Sequence, residues 1–254
     1  MRLPFRSGAA LSILIAAGVA GAAAWIWIVS ERAGRAPCPL ALSEADRLVL
    51  VTTPTMDGPS ATLETFERAS PSGPWRRRSG PEPAVVGQAG LGWGFTFRDK
   101  AVPGEPLKME GDQRSPAGIF AIGKSFGFAA TDRPDYVQLK PGVQICVDDP
   151  ASLYYSQIVT RAEAGPEAKG EDMPAIPVYA RGLAIDYKTS GAERAGSCIF
   201  MHIWKGEGAG TAGCVAAPES SIASLQDFAG KGRAAIAILA EGGKRRFPGC
   251  LPGP

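Results

Sequence analysis

Two short stretches in the last quarter of the chain decide its fold. Residues 196–204 read Gly-Ser-Cys-Ile-Phe-Met-His-Ile-Trp, and residues 211–216 read Thr-Ala-Gly-Cys-Val-Ala. The first stretch is apolar and rich in β-branched and aromatic residues, which predicts a strand over 198–203 with His202 near its end. A glycine-rich segment follows and leads to Cys214. We expect the chain to turn back there, so that Cys214 lies beside His202.

A cysteine beside a histidine predicts nucleophilic chemistry. A thiol attacks a carbonyl carbon as the thiolate, so it needs a neighbouring base. We therefore predict Cys214 as the nucleophile and His202 as its base. Gly213 leaves room for a substrate, and the backbone N–H groups of Gly213 and Cys214 are predicted to bind the oxyanion of an acyl intermediate. The residues alone leave a second interpretation open, a structural histidine near a small buried cysteine.

The rest of the chain predicts a mainly β domain. Runs that are β-branched or alternate apolar and polar residues are separated by Pro/Gly turns every dozen residues or so. The predicted strands cover residues 47–53, 61–68, 84–86, 118–122, 143–147, 183–187 and 198–203. One helix is predicted over 218–228 from the spacing of its apolar residues, and a short helix or a turn after Pro150. Residues 76–78 and 161–172 are predicted to be exposed loops.

The composition excludes several classes of protein. Of the 254 residues 45% are apolar, and the net charge is only +2, without the basic face of a nucleic-acid-binding protein. The chain has a single histidine, His202, and no close CxxC spacing, so we expect no metal site. It also lacks the glycine-rich loops that bind nucleotides, so we expect no cofactor.

The N-terminus predicts export. Arg2 and Arg6 precede an uncharged stretch from Ser7 to Ser30, with Trp25 and Trp27 where an interfacial aromatic belt would lie. The stretch is long enough to span a membrane, while the small residues at 19–22 also fit signal cleavage. We predict a signal anchor in the inner membrane, or a cleaved signal peptide, over residues 1–30 and a linker over 31–45.

An exported chain with five cysteines is expected to form disulfides, and the odd number leaves at least one thiol free. Cys38 and Cys250 flank the domain and are a candidate pair to join its ends, while the sequence leaves the pairing among Cys38, Cys146, Cys198 and Cys250 open.

The two stretches quoted first resemble the active-site signature of the L,D-transpeptidase catalytic domain (YkuD-like) family, in the branch that reads GSxIFxH and then PTxGCVA. Further blocks resemble the same branch in the same order. They are Val85–Gly87 with Gly90–Gly94, Glu110–Asp112 with Ser115–Gly118, and Val147–Pro150 with Tyr154–Tyr155. The resemblance covers most of residues 47–239. Cys198 stands where this branch has a small residue, which leaves open a buried thiol or a disulfide with Cys146.

The resemblance implies a β-sandwich or open barrel with one or two short helices, as a catalytic domain over residues 46–250. It implies a periplasmic or otherwise extracytoplasmic enzyme, which we expect to be a monomer, acting on peptidoglycan stem peptides. Cys214 would form a thioacyl intermediate and release the terminal D-residue, and an amine acceptor would then make a cross-link. Two alternatives share the fold: an L,D-carboxypeptidase, in which water is the acceptor, and a non-catalytic module that binds the cell wall.

The chain departs from the wider family at two positions near Cys214. Thr211 stands where a serine is usual, and Ala216 stands where an arginine is usual, which removes a cation for a substrate carboxylate. Lys108 is a candidate to replace that cation. The remaining substrate-binding candidates are Glu110, Asp112, Asp148, Asp149, Thr211 and Trp204, of which Asp148 and Asp149 are candidates for binding the amino group of a diamino acid.

Overall fold

Strand β1 (Arg47–Thr53) is the central strand of the fold, and six of its seven residues are buried. In the computed structural model, which describes residues 37–133 and 135–253, β1 pairs in parallel with β13 (Ala234–Ala240) and antiparallel with β2 (Ser60–Glu67). A strand covered on both faces has an almost uninterrupted apolar sequence. Both β1 and β13 are of this kind, and every residue of β13 is buried.

The other strands are β3 (Arg76–Val85), β4 (Leu91–Trp93), β5 (Ser115–Gly127), β6 (Tyr136–Gln138), β7 (Gln144–Val147), β8 (Ile158–Thr160), β9 (Gly170–Asp172), β10 (Arg181–Ile185), β11 (Phe200–Ile203) and β12 (Val215–Ala217). Eight strands form a closed ring in the order β10-β11-β12-β3-β2-β1-β13-β5. The long strand β5 closes the ring, because residues 118–121 pair with β13 and residues 122–127 pair with β10.

The helices are short, and α1 and α3 pack against the large apolar core. The α-helices are α1 (Leu40–Ser43), α2 (Arg161–Ala164) and α3 (Glu219–Ala229), and 3-10 turns cover Phe95–Lys100, Met173–Ala175, Pro177–Ala180 and Glu241–Arg246. Helix α3 buries Ile222 and Leu225 on one face, as the apolar spacing predicts. The Gln226 side-chain amide on the same helix donates to the carbonyl oxygens of Phe126 and Gly182, both at 2.9 Å.

The side chains of β11 and β12 alternate between two apolar clusters. Met201 and Val215 belong to the large core of the barrel. Phe200 and Cys214 belong to a smaller cluster on the opposite face. Successive residues of a strand point to opposite sides, so Cys214 lies on the outer face of the barrel.

A segment that we call the cap, residues 139–180, covers this outer face. It contains a small antiparallel sheet in the order β8-β7-β9, and its Cys146, Met173 and Tyr179 pack in the same cluster as Phe200 and Cys214. The cap therefore shields the cysteine that the sequence singles out.

Two disulfides fasten the structure. Cys38 and Cys250 are joined with their Cα atoms 5.5 Å apart, as predicted, and Cys146 is joined to Cys198 with a Cα–Cα distance of 6.1 Å. The second bond links the cap to the barrel. Cys214 is the free cysteine of the described residues. Disulfides persist in oxidising compartments, which agrees with the expectation of an extracytoplasmic domain.

The prediction of a mainly β fold with few short helices is confirmed, and so is the helix near 218–228. The predicted sandwich or open barrel is instead closed, because β5 is long enough to pair with two neighbours. The predicted loop at residues 76–78 is the exposed start of β3, where Arg77 forms an ion pair with Glu64 on β2.

The predicted loop over residues 161–172 holds α2 and β9. Helix α2 begins at a capping box formed by Thr160 and Glu163, and β9 pairs with β7. The segment after Pro150 forms turns.

Two predictions concern the N-terminal region. The signal or anchor segment over residues 1–30 lies outside the described residues, and the helices from residue 37 onward include none that is apolar and long enough for a membrane crossing. Residues 38–45, inside the predicted linker, pack on the domain: Leu42 is buried, and Arg68 donates to the carbonyl oxygens of Leu42 and Ala45.

Candidate active site

Cys214 and His202 lie on neighbouring parallel strands and face the same side. The register pairs Met201 with Val215 and His202 with Ala216, so Cys214 is level with Phe200 at the start of β12. Side chains two residues apart along a strand share a face. The chain therefore turns back after the glycine segment, as predicted, and this brings Cys214 and His202 to one face of the barrel.

The thiol of Cys214 is enclosed in this structure. The residue is buried, and its Sγ atom makes hydrogen bonds to the carbonyl oxygen of Cys198 at 3.5 Å and from the N–H of Phe200 at 3.4 Å. Within the described part of the chain, His202 makes no hydrogen bond to the Sγ atom of Cys214. Burial, followed by the nearby carboxylate of Glu171, raises the pKa of Cys214 to about 12. The thiol is thus neutral at physiological pH in this closed arrangement.

The turn that carries Cys214 is held by two hydroxyl groups. Thr211 Oγ1 donates to the Cys214 carbonyl oxygen at 2.6 Å, and Ser115 Oγ donates to the same oxygen at 2.9 Å. Ser115 Oγ also accepts from the N–H of Gly87 at 2.9 Å. A Cβ atom on Gly87 would lie 2.3 Å from the Gln113 carbonyl oxygen, so only glycine allows this close approach. Thr211 therefore shapes the nucleophile's turn in this structure.

His202 is oriented by a backbone carbonyl group. Its Nδ1 atom lies 2.8 Å from the carbonyl oxygen of Ile203. A carbonyl oxygen only accepts, so Nδ1 carries the proton and the neutral ring has Nε2 available as a base. Burial, with a smaller contribution from Lys205, lowers the pKa of His202. An imidazole that is neutral at pH 7 with an unprotonated Nε2 is the state that a general base requires.

The predicted oxyanion donor Gly213 and the predicted cation Lys108 are both close to Cys214. The Gly213 N–H donates to Thr211 Oγ1 at 3.1 Å, so it is engaged within the turn. Lys108 is buried, and its Nζ lies 3.7 Å from the position of a Cβ atom on Gly213. It donates to Asp112 Oδ1 at 2.5 Å and to the Met109 carbonyl oxygen at 2.7 Å. The buried Lys108 and the partly buried Asp112 therefore form an ion pair close to Gly213, and Lys108 lowers the pKa of the thiol.

The predicted acidic residues lie on the cap side of the site. Glu110 Oε2 accepts from Tyr155 Oη at 2.7 Å and from Ser197 Oγ at 3.0 Å. Partial burial, then Glu110 and then Asp149, raise the pKa of Asp148. These hydrogen bonds connect Glu110 to the cap through Tyr155.

Two other predicted binding residues have local contacts. Asp149 accepts from the N–H of Ala151 at 3.0 Å and caps a turn. Trp204 follows β11 and donates from its backbone N–H to the carbonyl oxygen of Ala217 at 2.9 Å. Across the described ranges, 37–133 and 135–253, the His, Cys, Asp and Glu side chains form no group of three or more that could hold a metal ion.

Sequence reasoning missed Tyr179 and Glu171. The ring of Tyr179 packs edge-on against His202, with centroids 5.3 Å apart, and against Phe200 at 5.5 Å. Its hydroxyl donates to Glu171 Oε2 at 2.6 Å. Both residues belong to the cap, in a segment without apolar alternation, so no local pattern in the sequence marked them.

Comparisons with known proteins add little to this geometry. No family model matches the chain, and no curated protein matches it. Among solved structures it is similar to the helical cell shape determining protein Pgp2 from Campylobacter jejuni and to a lysine-to-alanine mutant of that protein. Sequence identity is 15% and 16%, the TM-score is 0.39 for both, and 77% of this chain is covered. The chain spans about half the length of those structures, 48% and 47%. A likeness at this TM-score supports no conclusion about function.

Proposed function

We propose that this chain is a cysteine acyltransferase that acts on peptidoglycan stem peptides by L,D-transpeptidation. One observation carries the proposal: the free thiol of Cys214 and the imidazole of His202 share one face of adjacent strands, and the Ile203 carbonyl leaves Nε2 as the unprotonated nitrogen. This is the arrangement of a thiol nucleophile with a general base. The motif blocks that resemble the L,D-transpeptidase family supply the substrate class.

The proposed reaction has two steps. His202 Nε2 takes the proton of Cys214, and the thiolate attacks the carbonyl carbon of the amide before the terminal D-residue. A thioester forms, the amide C–N bond breaks, and His202 returns the proton to the leaving amine. An amine of a second stem peptide then attacks the thioester, its proton passes to His202, and the Cys214 thiol is restored.

The proposal requires the cap to move before a substrate reaches the thiol, because the thiol is shielded in this structure. Cys214 is 8% exposed, and the cap residues Met173 and Tyr179 pack in its cluster. A peptide chain needs far more open space than this. We therefore take the closed arrangement as the resting state, in which a neutral, shielded thiol is protected from oxidation.

Export to the periplasm is part of the proposal. The two disulfides support an oxidising location. The N-terminal segment, with its basic end and apolar stretch, would anchor the chain in the inner membrane or direct its secretion.

Incubation of the purified full-length chain with tetrapeptide muropeptides tests the proposal. Cross-linked dimers support transpeptidation, and tripeptide monomers support the L,D-carboxypeptidase alternative. A carbapenem that forms a covalent adduct at Cys214 would support either enzyme. If neither product forms, and the Cys214→Ala variant behaves as the unmodified chain does, both enzymatic readings fail.

The non-catalytic wall-binding module remains the alternative from another class. Two observations favour it: the high pKa of the buried thiol and the engagement of the Gly213 N–H by Thr211. It predicts binding to peptidoglycan sacculi that is equal for the unmodified chain and for Cys214→Ala, with no product in the muropeptide assay.

A further inference from the structure

The backbone carbonyl group of Cys214 accepts two hydrogen bonds from hydroxyl groups. Ser115 Oγ donates to its oxygen at 2.9 Å, and Thr211 Oγ1 donates to it at 2.6 Å. A carbonyl oxygen has two lone pairs, so both of its acceptor positions are filled. The peptide unit that follows the nucleophile is therefore held by two separate segments of the chain, the start of β5 and the segment before β12.

A backbone N–H sets the direction of each hydroxyl proton. Ser115 Oγ accepts from the N–H of Gly87 at 2.9 Å, and Thr211 Oγ1 accepts from the N–H of Gly213 at 3.1 Å. Each hydroxyl oxygen thus accepts on one side, and its single proton goes to the Cys214 carbonyl group on the other. Ser115 is completely buried, so water does not compete for its hydroxyl group.

The segment after β3 joins the two hydroxyl residues. The N–H of Thr211 donates to the carbonyl oxygen of Val86 at 2.9 Å, and the N–H of Gln88 donates to the carbonyl oxygen of Thr211 at 2.8 Å. Gly87, between these two residues, is the donor to Ser115. Because three successive residues bind Ser115 and Thr211, the two hydroxyl groups are held at a fixed separation.

The N–H of Cys214 belongs to the peptide unit between two fixed ones. Thr211 binds the N–H of Gly213 in the unit before it, and Ser115 binds the carbonyl group in the unit after it. Within residues 37–133 and 135–253, the Cys214 N–H itself has no hydrogen-bond acceptor. A backbone N–H without an acceptor is rare in a buried residue. The donor of this turn that is free for a ligand is therefore the N–H of Cys214, because Thr211 occupies that of Gly213.

We propose that Ser115 is a positioning residue of this site, which together with Thr211 clamps the backbone around Cys214 and holds the free Cys214 N–H as the donor to an acyl oxyanion. The proposal rests on the proposed function, because an oxyanion forms only if the Cys214 thiolate attacks a carbonyl carbon. As the C–S bond forms, the π electrons of the carbonyl group move onto its oxygen, which accepts from the Cys214 N–H. They return when the amide C–N bond breaks, and Ser115 keeps its proton throughout. A donor that is already held in place needs no reorganisation during the reaction.

The order of the Cys214 backbone tests the clamp without substrate. With ¹⁵N-labelled cysteine, the full-length chain has five labelled backbone amides, and the signal of Cys214 is the one that is absent from Cys214→Ala. NMR relaxation then gives the order parameter of this amide. We expect about 0.85, the value of rigid backbone, in the unmodified chain and a fall toward about 0.6, the limit of flexible backbone, in Ser115→Ala.

Turnover of muropeptides tests the catalytic consequence. Ser115→Ala should lower kcat about tenfold with KM unchanged, because the loosened N–H weakens an interaction made in the transition state. Ser115→Thr keeps the hydroxyl group and should restore both kcat and the order parameter. A purely structural role would lower the melting temperature and leave kcat, measured well below that temperature, unchanged.

Ser125→Ala is the matched control. Ser125 is a second buried serine of β5, at 9% exposure, and its backbone pairs with Tyr136 and Leu183, away from the turn that carries Cys214. This variant should leave the order parameter and kcat unchanged. If Ser115→Ala does not fold, Thr211→Val serves in its place. It removes the other hydroxyl group of the clamp at a partly exposed residue and should lower the order parameter in the same way.

An order parameter for Cys214 that is the same in Ser115→Ala as in the unmodified chain would refute the clamp, and so would an unchanged kcat in an active chain. A lower order parameter, with no muropeptide product from the unmodified chain, would support the clamp and refute the enzyme together with the oxyanion. Product from the unmodified chain, with neither quantity altered in Ser115→Ala, would refute the clamp and leave the proposed function standing.

Discussion

The apolar core around β1 and β13 and the cap-covered outer face of the barrel differ in the kinds of side chain that they contain. The core around β1 and β13 is apolar: all seven residues of β13 are buried, and six of them pack with β1 and the fully buried Trp93. The outer face mixes aromatic rings with a thiol, an imidazole and carboxylates, and a disulfide holds its cover in place. Strand β11 contributes to both regions, with Met201 in the core and Phe200 on the outer face.

Because of this difference, we expect the core to set the stability of the fold and the outer face to carry the proposed chemistry. The core is stabilised by apolar surface that folding removes from water, and this effect requires no charge and no particular side-chain orientation. On the outer face, the pKa of the Cys214 thiol depends first on its burial and then on charged groups from distant segments, such as Glu171 and Lys108. Substitutions on the two faces should therefore have different consequences.

The largest effect is expected from Cys214→Ala. Loss of the sulfur removes the nucleophile, so muropeptide turnover should fall at least about 10⁴-fold while the melting temperature changes little. Product analysis by chromatography and a thermal melt measure the two quantities. Turnover that persists in this variant would show that the chemistry does not depend on the cap-covered thiol.

Removal of the cap disulfide should affect both stability and access to the thiol. Cys146→Ser with Cys198→Ser opens a link with a sequence separation of 52 residues, which is expected to cost about 4 kcal/mol of unfolding free energy. We expect iodoacetamide to label Cys214 faster, because the cap loosens. Urea unfolding and mass spectrometry of the labelled protein give both values.

The other disulfide is the matched control. Cys38→Ser with Cys250→Ser should also lower stability, but it lies away from Cys214 and should leave the labelling rate unchanged. Equal labelling in the two double variants would mean that the cap does not control access.

In the apolar core, Ile236→Ala should lower the unfolding free energy by about 3 kcal/mol, because Ile236 is completely buried in β13 and its truncation leaves a cavity. Turnover well below the melting temperature should stay as it is. Leu153→Ala, at a side chain that is 94% exposed, should have no effect in urea unfolding. A loss of turnover in Ile236→Ala well below its melting temperature would contradict the prediction that the core affects stability alone.

The smallest effect is a fall in stability at alkaline pH. Burial raises the pKa of Cys214 from its ordinary 9.0 to about 12 in the folded chain. Above pH 9 the unfolded chain releases this proton and the folded chain retains it, so the unfolding free energy should fall by about 1 kcal/mol between pH 8 and pH 10. Below pH 9 the contribution is fully present.

Urea unfolding at pH 8 and pH 10 measures this loss, with Cys214→Ser as the reference because serine does not titrate in this range. Other groups titrate equally in both chains. If both chains lose the same stability, the thiol is not shielded from water in solution.

Much of the fold could be read from the sequence. The apolar run of β1, the alternation in β2 and the apolar spacing of α3 each appear in neighbouring residues, and the structure has all three elements. Strand β13 was not predicted, because its Ala-Ala-Ile-Ala-Ile-Leu-Ala sequence has no alternation. Its parallel pairing with β1, a neighbouring strand that is distant in the sequence, decides its conformation.

By itself the sequence identified Cys214 and His202 as a candidate pair. Each lies within one of the two motif blocks, and a glycine-rich segment separates the blocks. Only the tertiary structure decided what surrounds them. Ser115 begins β5, whereas Glu171 and Tyr179 belong to the cap, and the closure of β5 and the Cys146–Cys198 bond bring these two segments to the face that carries Cys214. The pKa of a thiol depends on burial and on charges within a few ångströms, so no pattern along the chain could set it.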